Sequence, residues 1–378
     1  MTSDQPAARL ATRLAFLVAG FGVACWAPLV PFAKQRLGVD DGVLGMLLLC
    51  IGLGSVIAMV ITGALSARYG SKPIIVAAGF GLAVILPLLT VVGTPVTLGI
   101  VLLAFGASLG SLDVAMNIHA IEVEKAEGRP LMSGFHALFS IGGFAGSAVM
   151  TFLLSIHVAT FTSTLLCAAL MLGAIAITRS RLIETAQSPD GPLFVAPRGI
   201  VLMLASLTAI TFLVEGALLD WSALLITGAG LVVAAQGGLG YMLFSIAMTA
   251  GRLGGDAVTA RLGDRTVMFW GGLLATAGFV VLLTAPVAAM AMAGFILIGL
   301  GASNIVPVLF RQAGSQRAMP SALAVVAIST TGYAGNLVGP AGVGFAAKAV
   351  GLPGAFWLLA VLLCFVPCCA RLVTARRT

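Results

Sequence analysis

Apolar residues run along this chain in long unbroken stretches, and the polar residues between them gather in short clusters with Gly and Pro. Stretches of about 20 apolar residues match neither the alternation of a half-buried strand nor the one-sided stripe of a soluble helix. They are long enough for a helix to cross the hydrocarbon of a bilayer. The pattern predicts spans near 10–33, 43–66, 73–93, 96–120, 132–155, 158–178, 199–226, 235–258, 267–285, 287–310, 321–346 and 351–370. The expected fold class is all-α, a polytopic membrane protein of about twelve transmembrane helices.

Composition agrees: 60% of the 378 residues are hydrophobic and 9% charged, against roughly a quarter charged in soluble domains. Twelve spans and their connections leave no room for a separate soluble domain. A net charge of +7 would suggest nucleic acid in a soluble protein, but here the Lys and Arg residues sit between apolar runs and read as topology signals. No nucleic-acid partner is expected. With a cytoplasmic N-terminus, Arg68, Lys72, Lys125, Arg129, Arg179, Arg181, Arg198, Arg261, Arg265, Arg311, Arg317, Arg371, Arg376 and Arg377 lie inside, and only Lys34, Arg36 and Lys348 outside. That asymmetry implies an even number of spans and two cytoplasmic termini. Arg9 and Arg13 before the first run have the look of a secretory leader, but the run continues past Cys25 to Phe32 and is read as a span. The six Cys all lie in apolar segments without metal or disulfide spacing, so no metal or cofactor is expected.

The longest polar connection, from Arg179 to Arg198, holds Ser188, Pro189, Asp190, Gly191, Pro192 and Pro197 and divides the chain. Its halves echo one another at an offset of about 190 residues. Ala67-Arg68-Tyr69-Gly70 returns as Ala260-Arg261-Leu262-Gly263, Gly106-Ala107-Ser108 as Gly301-Ala302-Ser303, and Gly143-Phe144-Ala145-Gly146-Ser147 as Gly332-Tyr333-Ala334-Gly335-Asn336. The expected organisation is a six-helix bundle over 1–178, a cytoplasmic linker over 179–198 and a second, pseudo-symmetric bundle over 199–378. Two such repeats form the frame of a rocking transporter.

With these features the sequence resembles the major facilitator superfamily. The loop Gly63-Ala64-Leu65-Ser66-Ala67-Arg68-Tyr69-Gly70-Ser71-Lys72 is similar to that family's signature loop, with Ala67 and its repeat Ala260 where an Asp is usual. The resemblance implies cytoplasmic gate loops at Gly63, Arg68, Gly70 and Arg261, lacking the carboxylate that locks the gate. Within the fourth span, Asp113 and Asn117 are one helical turn apart and resemble the acid and Asn of fucose-permease-like sugar and proton symporters. Asn304 with Pro307, and His136 to Ser140, also look like that branch and its bacterial relatives, which implies a bacterial inner-membrane location. The first span has no acid over residues 10–33, a departure from the sugar symporters.

Ionisable groups within a bilayer cost about 2.5–3.5 kcal/mol each on insertion scales and so mark candidate sites. Asp113 reads either as a proton- and substrate-binding acid or as a packing residue bonded to Asn117. Glu215 either faces the cavity or joins an interhelical hydrogen bond, and Asp220 is expected nearer the outer rim. His136 is placed to relay protons near Asp113 or to cap a helix end; His119 is expected at a helix end and His157 in a solvated connection. Arg252, four residues before Asp256, is expected to pair with it at the gate or to bind an anion. Trp26 beside Pro28 and Pro31, and Tyr333 with Asn336, offer an aromatic surface and hydrogen bonds to a polar solute, or ordinary packing.

No Gly-rich run opens a βα unit, so no phosphate-binding loop for a nucleotide-driven pump is present. Clustered catalytic groups are likewise lacking, and no enzyme is expected. The expected function is secondary active transport of a small, sugar-like or otherwise polar solute, proton-coupled, by a monomer surrounded by lipid. Proton-coupled efflux and a non-transporting sensor stand as alternatives. The fifth span lacks the Gly-Pro signature of drug antiporters, which favours import.

Overall fold

Each apolar run becomes helix, because in hydrocarbon a backbone N–H or C=O finds a partner only within its own segment or in buried protein. The computed structural model describes residues 5–39, 41–184, 196–232 and 238–374. Thirteen α-helices follow one another among them: α1 (Gln5–Trp26), α2 (Val30–Leu37), α3 (Asp41–Tyr69), α4 (Ser71–Leu88), α5 (Pro95–Glu127), α6 (Met132–Ser155), α7 (Thr160–Arg179), α8 (Ile200–Gly228), α9 (Leu239–Leu283), α10 (Ala288–Ala302), α11 (Ile305–Ser315), α12 (Ser321–Leu363) and α13 (Phe365–Val373). The turn-forming residues Ser188 to Pro192 and the basic Arg376 and Arg377 lie outside the described residues.

Eleven helical stretches among the described residues are long and apolar enough to cross a membrane. The 45-residue α9 counts once there, although Gly263 (φ 77°, ψ 157°) breaks it at 263 into two lengths, 239–262 and 264–283, each long enough to cross, which accounts for the twelfth. Gly351 (φ 76°, ψ 162°) divides α12 in the same way. The first span is interrupted as its prolines require: Pro28 and Pro31 supply no N–H, and a 3-10 turn over Ala27–Leu29 joins α1 to α2. α5 runs to Glu127, past the predicted limit at residue 120, because charged residues end a hydrophobic span without ending a helix. Glu122 and Lys125 pair across one turn (3.1 Å), and Gly128 at φ 66° closes the helix.

The chain divides into two compact units. The first comprises Met1–Arg129, Phe135–Ala196 and Pro320–Thr330; the second comprises Pro130–Gly134, Pro197–Met319 and Thr331–Thr378. Apolar side chains such as Leu49, Leu53, Ile57 and Ile61 on α3 point outward, while the interior combines fully buried large side chains such as Phe16, Phe105 and Phe295 with small residues at the closest helix contacts. In the first unit Gly106 of α5 lies on the Ile51 carbonyl of α3, and Gly142 of α6 on the Leu17 carbonyl of α1, where a Cβ would collide with either oxygen. In the second unit Gly299 of α10 lies on the Phe244 carbonyl of α9, and Gly335 of α12 on the Ala209 carbonyl of α8.

These contacts sharpen the repeat. One offset, 193 residues, relates Gly70 to Gly263, Gly106 to Gly299 and Gly142 to Gly335. The pairings of Gly106 with Gly301 and of Gly143 with Gly332 read from sequence are out of register. Short Gly/Ala strings align at several shifts, and only the backbone each glycine touches selects one. Gly70 (φ 79°, ψ 167°) and Gly263 share a conformation that is essentially closed to other residues. Gly70→Ala and Gly263→Ala are each expected to lower stability by about 1–3 kcal/mol, measured by reversible denaturation in mixed micelles. A loss below a few tenths of a kcal/mol at both positions would contradict the turn geometry.

Candidate functional site

In the first unit, α5 carries Asp113 and Asn117 deep inside: the carboxylate residue is 9% exposed and the amide residue 0%. Spacing of four places both on one face, and Asn117 Nδ2 donates to the Asp113 carbonyl (2.9 Å) and, more weakly, to its Oδ1 (3.5 Å). No cation forms an ion pair with Asp113 among the described residues. The tertiary structure brings Ser329 of α12 against the Asp113 carboxyl, although its hydroxyl does not reach hydrogen-bond geometry. Asn117 Oδ1, Ser329 Oγ, Thr330 Oγ1 and Trp26 Nε1 are buried in this unit without hydrogen-bond partners. Such orphans are rare in native interiors and mark places where water or a ligand completes the bonding. Behind Asp113, Thr62 of α3 donates to Ser111 Oγ (2.9 Å) and ties α3 to α5.

His136 packs edge-on against Phe16, with ring centroids 5.2 Å apart. His119 lies well inside α5 and is fully buried, a correction to its expected place at a helix end, because α5 extends beyond the hydrophobic span. Its Nε2 accepts from the Ile183 N–H (3.1 Å), so its proton sits on Nδ1, 3.0 Å from Thr12 Oγ1. The ring thus ties α1 and α5 to the segment that follows α7. His157 is exposed, as expected, and takes φ 62° where α6 ends.

The second unit is organised around a broken helix. α10 stops at Ala302 and α11 begins at Ile305, with Ser303 and Asn304 between them and Pro307 in the first turn beyond. Proline withholds a donor and the break frees carbonyls, so inside a membrane other groups must satisfy them. Arg252 of α9, 6% exposed, gives its Nε to the Ser303 carbonyl (3.3 Å). Asn304 Nδ2 donates to the Gly251 carbonyl (3.2 Å) and to Ser303 Oγ (2.9 Å), while its Oδ1 is buried without a partner. Gly251 and Gly255 let α9 approach this closely, since a Cβ at either would strike Ser303 or Asn304.

Glu215 of α8 is partly buried, and its charge is felt by both Arg252 and Tyr241 of α9. Asp220, five residues further on, is exposed. Tyr333 packs edge-on to Phe212 (6.2 Å), and the Asn336 amide lies against Gly216, next to Glu215. Asp256 also serves backbone: its two carboxylate oxygens accept from the N–H groups of Ser133 and Gly134, both at 2.9 Å, at the start of α6. In the signature loop Arg68 stacks over Tyr69 (5.5 Å) and Gly63 meets Val326, while Arg261 is exposed. Local sequence did not reveal Ser329, Ser303 or Tyr241, because a Ser or Tyr in an apolar run is unremarkable until its neighbour across the bundle is known.

Membrane-crossing helices in two repeats, one broken at mid-span, define a polytopic membrane transporter. The sequence profile of the Major Facilitator Superfamily matches residues 13–327, and the chain belongs to that superfamily of membrane-spanning transporters, which are not enzymes. It is 47% identical over 367 residues to an uncharacterised transporter of the superfamily from Yersinia pestis, covering 97% of this chain and 96% of the relative. It is 30% identical to the membrane protein MosC of Rhizobium meliloti, covering 93% and 87%. The fold is similar to that of the E. coli fucose:proton symporter FucP (TM-score 0.77, 15% identity, 98% of each chain). It is also similar to the human organic anion transporter MFSD10 (TM-score 0.76, 16% identity, 97% of this chain and 99% of the other).

Removing the carboxylate at the start of α6 strands two N–H donors. Asp256→Ala is expected to cost about 1–3 kcal/mol and Asp256→Asn clearly less, read as thermal unfolding of purified protein. Equal and negligible losses would show that these bonds contribute nothing.

Proposed function

We propose that this protein is a proton-coupled secondary transporter that imports a small polar solute by alternating access, with Asp113 as the proton-carrying group. The single observation that carries this reading is the buried Asp113 carboxyl, without an ion-pairing cation among the described residues, beside the unpartnered Asn117 Oδ1 and Ser329 Oγ. Withdrawal from water favours the neutral form of a carboxyl, so a group at this depth suits a cycle in which a proton enters from one side and leaves to the other. Asn117 Oδ1 accepts, and Ser329 Oγ donates or accepts, the bonds that a hydroxylated solute offers. Trp26, through its indole N–H, belongs to the same unit and serves solute binding. His136 assists proton passage. The second unit contributes Glu215, with Tyr333, Asn336 and Asn304 as weaker solute contacts and Asp220 at the rim. Gly63, Arg68, Gly70, Arg252, Asp256 and Arg261 serve the gate.

The distribution of Lys and Arg supports a bacterial inner-membrane location with both termini cytoplasmic. The working unit is a monomer in lipid. FucP is a fucose:proton symporter by name, which makes deoxysugars and other small polyols the first solutes to try.

Proteoliposomes containing a pH-reporting dye are to be challenged with L-fucose, D-xylose and a panel of polyols, nucleosides and amino acids. One class is expected to elicit proton entry. Asp113→Asn is expected to reduce solute-induced proton entry at least about tenfold, while solute counterflow and monodispersity are retained. Undiminished proton entry in that variant would remove Asp113 from coupling, and solute flux without proton movement in the wild type would remove coupling itself.

A further inference from the structure

Apart from the Asp113 cluster, the second unit holds a cavity of about 960 Å3 at the end that carries the Gly263 turn. The turn itself, the start of α8 at Ile200, the final turn of α11 and the end of α13 form its walls. Their charges are unbalanced. Asp264 is the one acid in the lining, and Arg311 Nη1 (2.5 Å) and Gln312 Nε2 (2.6 Å) take its two carboxylate oxygens separately. Arg265 and Arg317 complete the basic side, both exposed and neither with a carboxylate partner among the described residues. Three arginines thus line a cavity whose one carboxylate is already engaged.

Two local devices fix the backbone that carries Arg265 and Arg317. Gly263 fixes the entry into the second half of α9 and with it Arg265. Gln316 clips the loop that presents Arg317: its Nε2 donates to the carbonyls of Ala313 (3.2 Å) and Met319 (2.7 Å), and its Oε1 accepts from the N–H groups of Ala318 (2.7 Å) and Met319 (3.0 Å). Ile200, Leu372 and Val373 give the rest of the wall an apolar character. Five residues beyond Arg265, Trp270 is 61% exposed and stacks edge-on with Phe269 (5.4 Å). Exposed Trp is enriched at the headgroup level of a bilayer, which favours a cavity near that level.

We propose that this cavity is a binding site for a phosphate group, taken between Arg265 and Arg317 with Arg311 and Gln312 behind them. Guanidinium forks match the paired oxygens of a phosphate, and the volume admits a glycerophosphate headgroup or a small phosphate ester. The chemistry is the same for an anionic phospholipid and for a soluble phosphate. It is independent of whether Asp113 couples transport to protons.

The test uses the full chain in nanodiscs of phosphatidylcholine, of phosphatidylcholine with phosphatidylglycerol, and of phosphatidylcholine with added inorganic phosphate, with the melting temperature as readout. A rise of several degrees is expected in at least one of the last two conditions. The shift is expected to be lost in R265Q/R317Q and retained in R371Q, which removes an exposed charge outside the cavity lining. A rise with phosphatidylglycerol alone assigns the site to lipid, and a rise with phosphate assigns it to a soluble ligand. No rise in either condition, or a rise that survives in R265Q/R317Q, overturns the proposal. Should the double variant fail to give monodisperse protein, R265Q and R317Q are measured singly, and wild-type shifts in both overturn it equally.

Discussion

Hydrocarbon offers no hydrogen bonds, so every polar backbone group that the chain carries into the bilayer must be answered by the protein itself. Continuous helix answers almost all of them, and the departures from continuous helix are where side chains have been placed to compensate. At Ser303 and Asn304 the chain leaves helix in mid-span. Arg252 and the Asn304 amide bind the carbonyls exposed there and on the facing helix. At the start of α6 the Asp256 carboxylate meets two N–H groups that no earlier turn accepts. A charge that would be prohibitive alone becomes affordable when it replaces the missing bonds of the backbone.

The same solvent explains how the helices pack. Lipid tails are as apolar as Leu, so withdrawal from solvent gains little, and van der Waals packing takes over, through buried large side chains such as Phe105 and Phe295 and through backbones brought close by small residues. Gly106 and Gly142 in the first unit, and Gly299 and Gly335 in the second, occupy equivalent positions because each brings a helix onto a neighbouring carbonyl. Outward, α3 presents Leu49, Leu53, Ile57 and Ile61 to lipid. The repeat is thus a repeat of contacts, visible in residues that have almost no side chain.

Hydrogen-bond satisfaction is not complete everywhere in the interior. Asn117 Oδ1, Ser329 Oγ and Trp26 Nε1 in the first unit, and Asn304 Oδ1 in the second, are among the buried polar atoms left open, as are Ser66 Oγ and Thr259 Oγ1 elsewhere. Such open atoms are the places where water or a ligand can complete the bonding, which is the ground on which Asn117 and Ser329 are proposed as solute contacts. The His119 ring is the contrast. It is as deeply buried as Asn117, but both nitrogens are engaged by Thr12 and Ile183, which makes it a tie between segments.

Much of this was legible in the chain alone. The spans follow from run length, since a bilayer sets one minimum for every helix, and all twelve fall close to their observed limits. α5 overran because charges stop a span and not a helix. Asp113, Asn117, Glu215, Arg252 and Asn304 could be singled out because polar residues in apolar runs are costly whatever surrounds them. Which of them have partners could not be read, since a contact such as Asp113 with Ser329 joins residues more than two hundred positions apart and leaves no local signature. The Arg252 and Asp256 spacing suggested a pair on one helix, whereas the fold also gives each a backbone group on another segment. Sequence by itself determined the solvent, the number of crossings and the charges that need explaining. Only the tertiary structure decided the register of the repeat, the neighbour of each polar group and which atoms remain open, because those depend on distances between helices that periodicity does not encode.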